Sequence, residues 1–220
     1  MPKTKVRNCQ NVLRLLNDLN VNLDDYNDEN WCENYTVDEY FLYILCWAHW
    51  SPKRQENVWK EVRDRFNKLG KQLHAFQPVD VKKLCKSYPL PWQKKWLKRF
   101  VDFLAENSLT AQKFTGMLRE MGYENARRKL QEIVGTESEK IVDCWLRDIV
   151  RIDAFPIDTR IKGILREYRI PVDSDFIIEC CKKNNVPIRP FARALYEYAG
   201  TKNRKRRRRS LANPRTKLSS

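Results

Sequence analysis

The segment from Thr36 to Trp50 constrains this chain more than any other. Thr36-Val-Asp-Glu39 has the form of a capping box, in which the Thr hydroxyl accepts from the third helical amide and the Glu reaches back to the cap. Behind it, Tyr40-Phe-Leu-Tyr-Ile-Leu-Cys-Trp-Ala-His-Trp50 is apolar on nearly every face of a helix. A helix of that kind cannot lie on a surface, so it predicts a central helix surrounded by others.

The remaining periodicity supplies the surrounding helices. Val12, Leu13, Leu15, Leu16 and Leu19 mark a first helix ahead of an Asn/Asp-rich stretch at 20–30. Ser51-Pro52 reads as a helix start, with Val58, Trp59, Val62, Phe66 and Leu69 on one side. Pro78–Leu84 is a short helix before a Tyr88-Pro-Leu-Pro91 break, and Trp92, Trp96, Phe100, Phe103 and Leu104 continue at helical spacing. Further helices fall at 110–121, 125–133, 140–150, 159–168, 174–184 and 188–199, with no strand alternation and no solenoid-length repeat. The chain holds only 6 Gly in 220 residues, which argues against Gly-rich phosphate loops and turn-dense β folds. The predicted class is therefore all-α, with residues 1–200 as one domain and 201–220 as a basic, disordered tail.

Charge narrows the partners. The net charge is +15, and residues 201–220 carry nine Lys or Arg and no acid; removing those nine leaves +6 for the body. Residues 1–50 hold four bases against eight acids, so the middle and the end are the basic part and point to nucleic acid. Seven Cys (9, 32, 46, 85, 144, 180, 181) form no Cys-x-x-Cys and no Cys/His ligand set. Their spacing predicts reduced thiols in an intracellular compartment, with Cys46 and Cys144 as small buried hydrophobes. After Asp158 only Cys180 and Cys181 remain, which excludes a four-Cys iron–sulfur loop there. No signal peptide and no span of ~20 apolar residues is present, so no membrane partner is expected.

The chemistry concentrates in 125–168. Lys140 opens an apolar helical run, and 18 residues later Asp158 follows an Ala154-Phe-Pro-Ile157 turn and opens the next helix. Asp158 is placed to cap that helix, at the positive end of its dipole. A lysine in a first helical turn, partly out of water, is disfavoured as a cation, and the free amine is the form that acts as a nucleophile. Arg127, Arg128, Lys129, Arg160 and Lys162 lie nearby and suit phosphates.

Here the chain resembles the helix-hairpin-helix DNA glycosylases. Lys140-Ile-Val-Asp-Cys and Phe155-Pro-Ile-Asp158-Thr-Arg look like the lysine-bearing 8-oxoguanine DNA glycosylase/lyases of that superfamily. The likeness covers residues 133–168, and 36–70 more loosely. It implies two helical lobes around a DNA-binding cleft with a helix-hairpin-helix motif. It also implies Lys140 as the nucleophile that displaces the damaged base, Asp158 as its electrostatic partner, and β-elimination from the resulting Schiff base, with no metal and no cofactor. The partner implied is duplex DNA containing a damaged base, bound by a monomer in a nucleus or a prokaryotic cytoplasm. Where the family's hairpin has two Gly, this chain has Thr136 and Ser138 and keeps only Gly135, which predicts a reshaped hairpin. By resemblance to archaeal-type classes of the family, which carry unusual hairpins, the departure marks a subclass. Gly135, Thr136, Ser138 and Arg160 are the expected DNA-backbone contacts. Trp47, His49, Trp50 and Trp145 are the expected base pocket, with Phe191, Tyr196 and Tyr198 on its other side.

Plain alternatives stand beside each assignment. The plain reading of Lys140 in the Glu137–Lys140 turn is a solvated surface lysine, of Asp158 an ordinary cap, of each aromatic core packing and of the tail a solvated polycation or import signal. The alternative functions are a glycosylase for another damaged or mismatched base, and a non-catalytic helix-hairpin-helix DNA-binding protein.

Overall fold

The computed structural model describes residues 9–26, 35–46, 52–135 and 139–212, the side chains of 52, 139 and 202–212 excepted. Among the described residues the chain is all-α, with no strand. In chain order the helices are α1 (Gln10–Leu19), α2 (Val37–Cys46), α3 (Pro52–Leu69), α4 (Pro78–Cys85), α5 (Pro91–Glu106), α6 (Ala111–Met121), α7 (Tyr123–Val134), α8 (Glu139–Trp145), α9 (Thr159–Glu167), α10 (Ser174–Lys183) and α11 (Ile188–Ala212). A 3-10 turn spans Leu23–Tyr26, another spans Leu73–Ala75, and α8 passes into a π-helical turn at Leu146–Val150. No described helix is long and apolar enough to cross a membrane.

The backbone divides into two compact units, Glu29–Ala154 and the pair of segments Met1–Asp28 and Phe155–Ser220. The larger unit is built around α2. Its capping box forms as the sequence predicts: Thr36 N donates to Glu39 Oε2 at 2.8 Å and Glu39 N to Thr36 Oγ1 at 3.1 Å. Six α2 side chains, Tyr40, Phe41, Leu42, Ile44, Leu45 and Cys46, are buried hydrophobes. The helix end then needs acceptors satisfied inside the core. Tyr88 Oη donates to Leu42 O and Gln93 Nε2 to Leu45 O, each at 2.7 Å and each buried. Phe41, Phe100 and Trp145 form an aromatic centre with ring centroids 4.5–5.8 Å apart. The expected Ser51 cap and the last residues of the apolar run, 47–50, lie outside the described residues.

The second unit packs α1 with α9, α10 and α11. Its core draws Val12, Leu15 and Leu19 from one end of the chain and Ile161, Leu165, Phe176, Phe191 and Leu195 from the other. Tyr168 Oη donates to Asp18 Oδ2 at 2.8 Å, and a disulfide joins Cys9 to Cys180. That cross-link corrects the expectation of reduced thiols: its cysteines are 171 residues apart, a pairing spacing rules cannot see, so cysteine spacing no longer argues for a reducing compartment. Cys46 and Cys144 are buried thiols as expected. The last helix also departs from expectation, running to Ala212 where a disordered tail is predicted. Residues 201–212 contain no Gly or Pro and are mostly Lys, Arg, Leu and Ala, all good helix formers. Residues 213–220 lie outside the described chain.

Candidate functional site

Lys140 belongs to the larger unit and Asp158 to the other, the boundary falling between Ala154 and Phe155. Each is described in its own surroundings.

Helix α7 ends at Gly135, whose φ of 65° is left-handed and whose N–H donates to Gln131 O at 2.8 Å. A side chain here would be strained, and a Cβ would collide with the guanidinium of Arg99. Arg99, on α5, also donates to Val134 O at 3.5 Å, so a cation sits at the carbonyl end of α7 where the dipole favours it. Gly135 is thus a helix stop with an arginine laid across it. Thr136 and Ser138, the other expected backbone contacts, lie outside the described residues.

Lys140 is the second residue of α8 and is half-buried. No hydrogen bond or ion pair joins it to another described residue. The residues one turn along, Asp143 and Cys144, are buried. Asp143 Oδ1 accepts from Tyr123 Oη at 3.1 Å and lies 3.6 Å from Arg127 Nε, and that guanidinium also stands over the Tyr123 ring at 5.7 Å. Burial pushes the Cys144 thiol up to about 12, which removes it as a competing thiolate nucleophile at neutral pH. Further along, Arg147 makes two hydrogen bonds to Asp148, at 2.9 and 2.6 Å.

Asp158 caps α9 as expected. Its Oδ1 accepts from Arg160 N at 2.9 Å and Ile161 N at 2.8 Å. Its Oδ2 lies 3.4 Å from Arg160 Nε. The guanidinium of Arg160 sits 4.9 Å from the Tyr196 ring and donates from Nη2 to Tyr196 Oη at 3.2 Å.

Several assignments change. Trp145 is 1% exposed and packs on Phe41, Phe100 and Trp96, so it is a core residue and not a pocket wall. The reason is geometric: five residues along a helix turn a side chain about 140° away from Lys140. Trp47, His49 and Trp50 lie outside the described residues. Arg160, expected at the DNA backbone, is engaged by Asp158 and Tyr196 with its side chain 40% exposed. Arg127, another phosphate candidate, is turned inward to Asp143; Lys162 remains exposed. The sequence reading missed Asp143 as a buried acceptor, although a carboxylate inside an apolar run, three residues after Lys140, was a usable signal. Nothing local could have placed Arg99 at Gly135, 36 residues away in the chain. Among the described residues no group of three or more His, Cys, Asp or Glu is placed to hold a metal ion.

Compared with protein-family models, with curated proteins and with solved structures, the chain finds no match.

Proposed function

We propose that this protein is a DNA repair glycosylase with lyase activity, acting on an oxidised purine, 8-oxoguanine foremost, in duplex DNA. The observation that carries the proposal is the sequence pairing of Lys140-Ile-Val-Asp-Cys with Phe155-Pro-Ile-Asp158-Thr-Arg. The helix-hairpin-helix and DNA-binding cleft implied by that resemblance belong to the same reading. Three local features support it. Asp158 caps a helix with one oxygen fully occupied, Lys140 is half-buried, and burial holds the Cys144 thiol one turn along protonated.

In this mechanism the Lys140 amine forms a bond to the sugar C1′ as the bond from C1′ to the base breaks. The base leaves with the electron pair and takes up a proton. Asp158 supplies negative charge to the developing sugar cation and to the amine that becomes cationic. Opening of the sugar ring leaves a Schiff base between Lys140 and C1′. Loss of a C2′ proton then expels the 3′ phosphate oxygen and nicks the strand. The basic residues of the body and of α11 contribute the non-specific attraction to the DNA backbone.

Borohydride trapping tests this directly, using labelled duplex with 8-oxoguanine opposite cytosine. The wild type should give a covalent adduct and Lys140→Gln none, with DNA binding retained in both. Binding without an adduct, on this duplex and on one with a preformed abasic site, would leave a non-catalytic DNA-binding protein or a monofunctional enzyme.

A further inference from the structure

The geometry points to Arg160 as a positioning residue that fixes the second carboxylate oxygen of Asp158 from the C-terminal helix, and not as a phosphate contact. The inference rests on the glycosylase/lyase reading, since it assigns a role within that reaction. Capping anchors only half of the Asp158 carboxylate, because Arg160 N and Ile161 N both donate to Oδ1. The terminal torsion of an Asp is soft, so a carboxylate held by one oxygen can swing the other. Oδ2 is met by Nε of Arg160 at 3.4 Å.

Arg160 in turn could not hold anything by itself, being a long side chain with much rotamer freedom to lose. It is ordered from α11. The Tyr196 ring lies under the guanidinium at 4.9 Å, and its hydroxyl accepts from Nη2 at 3.2 Å. One turn further on, Nη1 lies over Gly200, where an added Cβ would meet it at 3.5 Å, an ordinary contact distance. Nε and both terminal nitrogens thus have separate neighbours: Asp158, Tyr196 and the bare helix surface at Gly200. A planar fork is required to meet all three at once, which a lysine ammonium cannot do. Tyr196 is 41% exposed although its ring and hydroxyl are both used, so the assembly is at the surface and open to the solvent that carries DNA.

The two roles for Arg160 separate cleanly by experiment. Trapping rates in single turnover on the 8-oxoguanine duplex are measured for wild type, Arg160→Lys, Arg160→Ala and Tyr196→Phe, together with DNA affinity over a range of salt and a thermal melt. Positioning expects Arg160→Lys and Arg160→Ala to trap roughly 10- to 100-fold more slowly. Tyr196→Phe, which keeps the ring and loses the hydroxyl, should be slower by a factor of about 3, with affinity and its salt slope unchanged in every variant. A phosphate contact expects the reverse: Arg160→Lys close to wild type in rate, and Arg160→Ala weaker in binding with a salt slope reduced by about one. That result overturns the inference while leaving the glycosylase reading intact. If Arg160→Ala fails to fold, Arg160→Lys and Tyr196→Phe decide. Absence of an adduct in the wild type itself removes the reaction, and the positioning role with it.

Discussion

Each unit of this molecule contains an aspartate, an arginine and a tyrosine arranged around one another, and the two sets differ in burial. In the larger unit Asp143 is fully buried, accepts from Tyr123 and pairs with Arg127, whose side chain is 17% exposed. In the other, Asp158 is 11% exposed and spends one oxygen on the amides that start α9, and its arginine is 40% exposed over an open Tyr196 ring. The same three residue types therefore serve two ends. A carboxylate sealed from water must keep its cation, because neither charge can return to solvent. A carboxylate at a helix start is satisfied by backbone amides and does not depend on its arginine for stability. The first arrangement joins α7 to α8; the second leaves a charge near the surface.

The largest expected stability effect follows from that contrast. Asp143→Ala removes the buried carboxylate that pairs with Arg127 and accepts from Tyr123, and should cost about 3 kcal/mol in urea unfolding, the lower end for a broken buried pair since Arg127 keeps some solvent. A loss below about 1 kcal/mol would mean that the buried set is no more committed than a surface pair, and the comparison would fail.

Asp158→Ala should separate stability from function in the opposite sense. Losing the cap of α9 costs about 1 kcal/mol. If the carboxylate serves the proposed reaction, trapping of the 8-oxoguanine duplex should fall by a factor of roughly 100 or more while the protein stays folded. A stability loss with unchanged trapping would reduce Asp158 to an ordinary cap.

What could be read from the sequence was what is local. The Thr36/Glu39 capping box, the Asp158 cap and the helical course of the chain all depend on residues within one or two turns of each other, and the structure has them. The features that were missed are tertiary. The partner of Cys9 is 171 positions away, the guanidinium at Gly135 comes from α5, and Arg160 is ordered by a tyrosine 36 residues later. Trp145 shows a different failure: its position in the chain puts it near Lys140, but the side of the helix it faces puts it in the core. The candidate residues stand out as a motif, whereas the neighbours packed around them do not.

Asp38 offers the finest test of whether burial or pairing governs these carboxylates. It is buried in the larger unit like Asp143, yet its Oδ1 accepts the Leu73 amide at 3.0 Å and the electrostatic help for its charge comes from His74, not an arginine. Burial raises its carboxyl above the ordinary range, outweighing the Leu73 hydrogen bond and His74. A carboxyl raised on folding binds its proton more tightly in the native state. Stability therefore falls as pH climbs from the unfolded value, about 3.9, to the folded one, and the cost is fully present above that. Asp38→Asn keeps an acceptor for Leu73 and has no charge to desolvate. Its stability relative to wild type should rise through that window, level off near neutrality and stay within about 1 kcal/mol, read from urea unfolding between pH 3 and pH 7. A relative stability that falls with pH instead would show that ionised Asp38 is favoured by folding, and that His74 does for it what Arg127 does for Asp143.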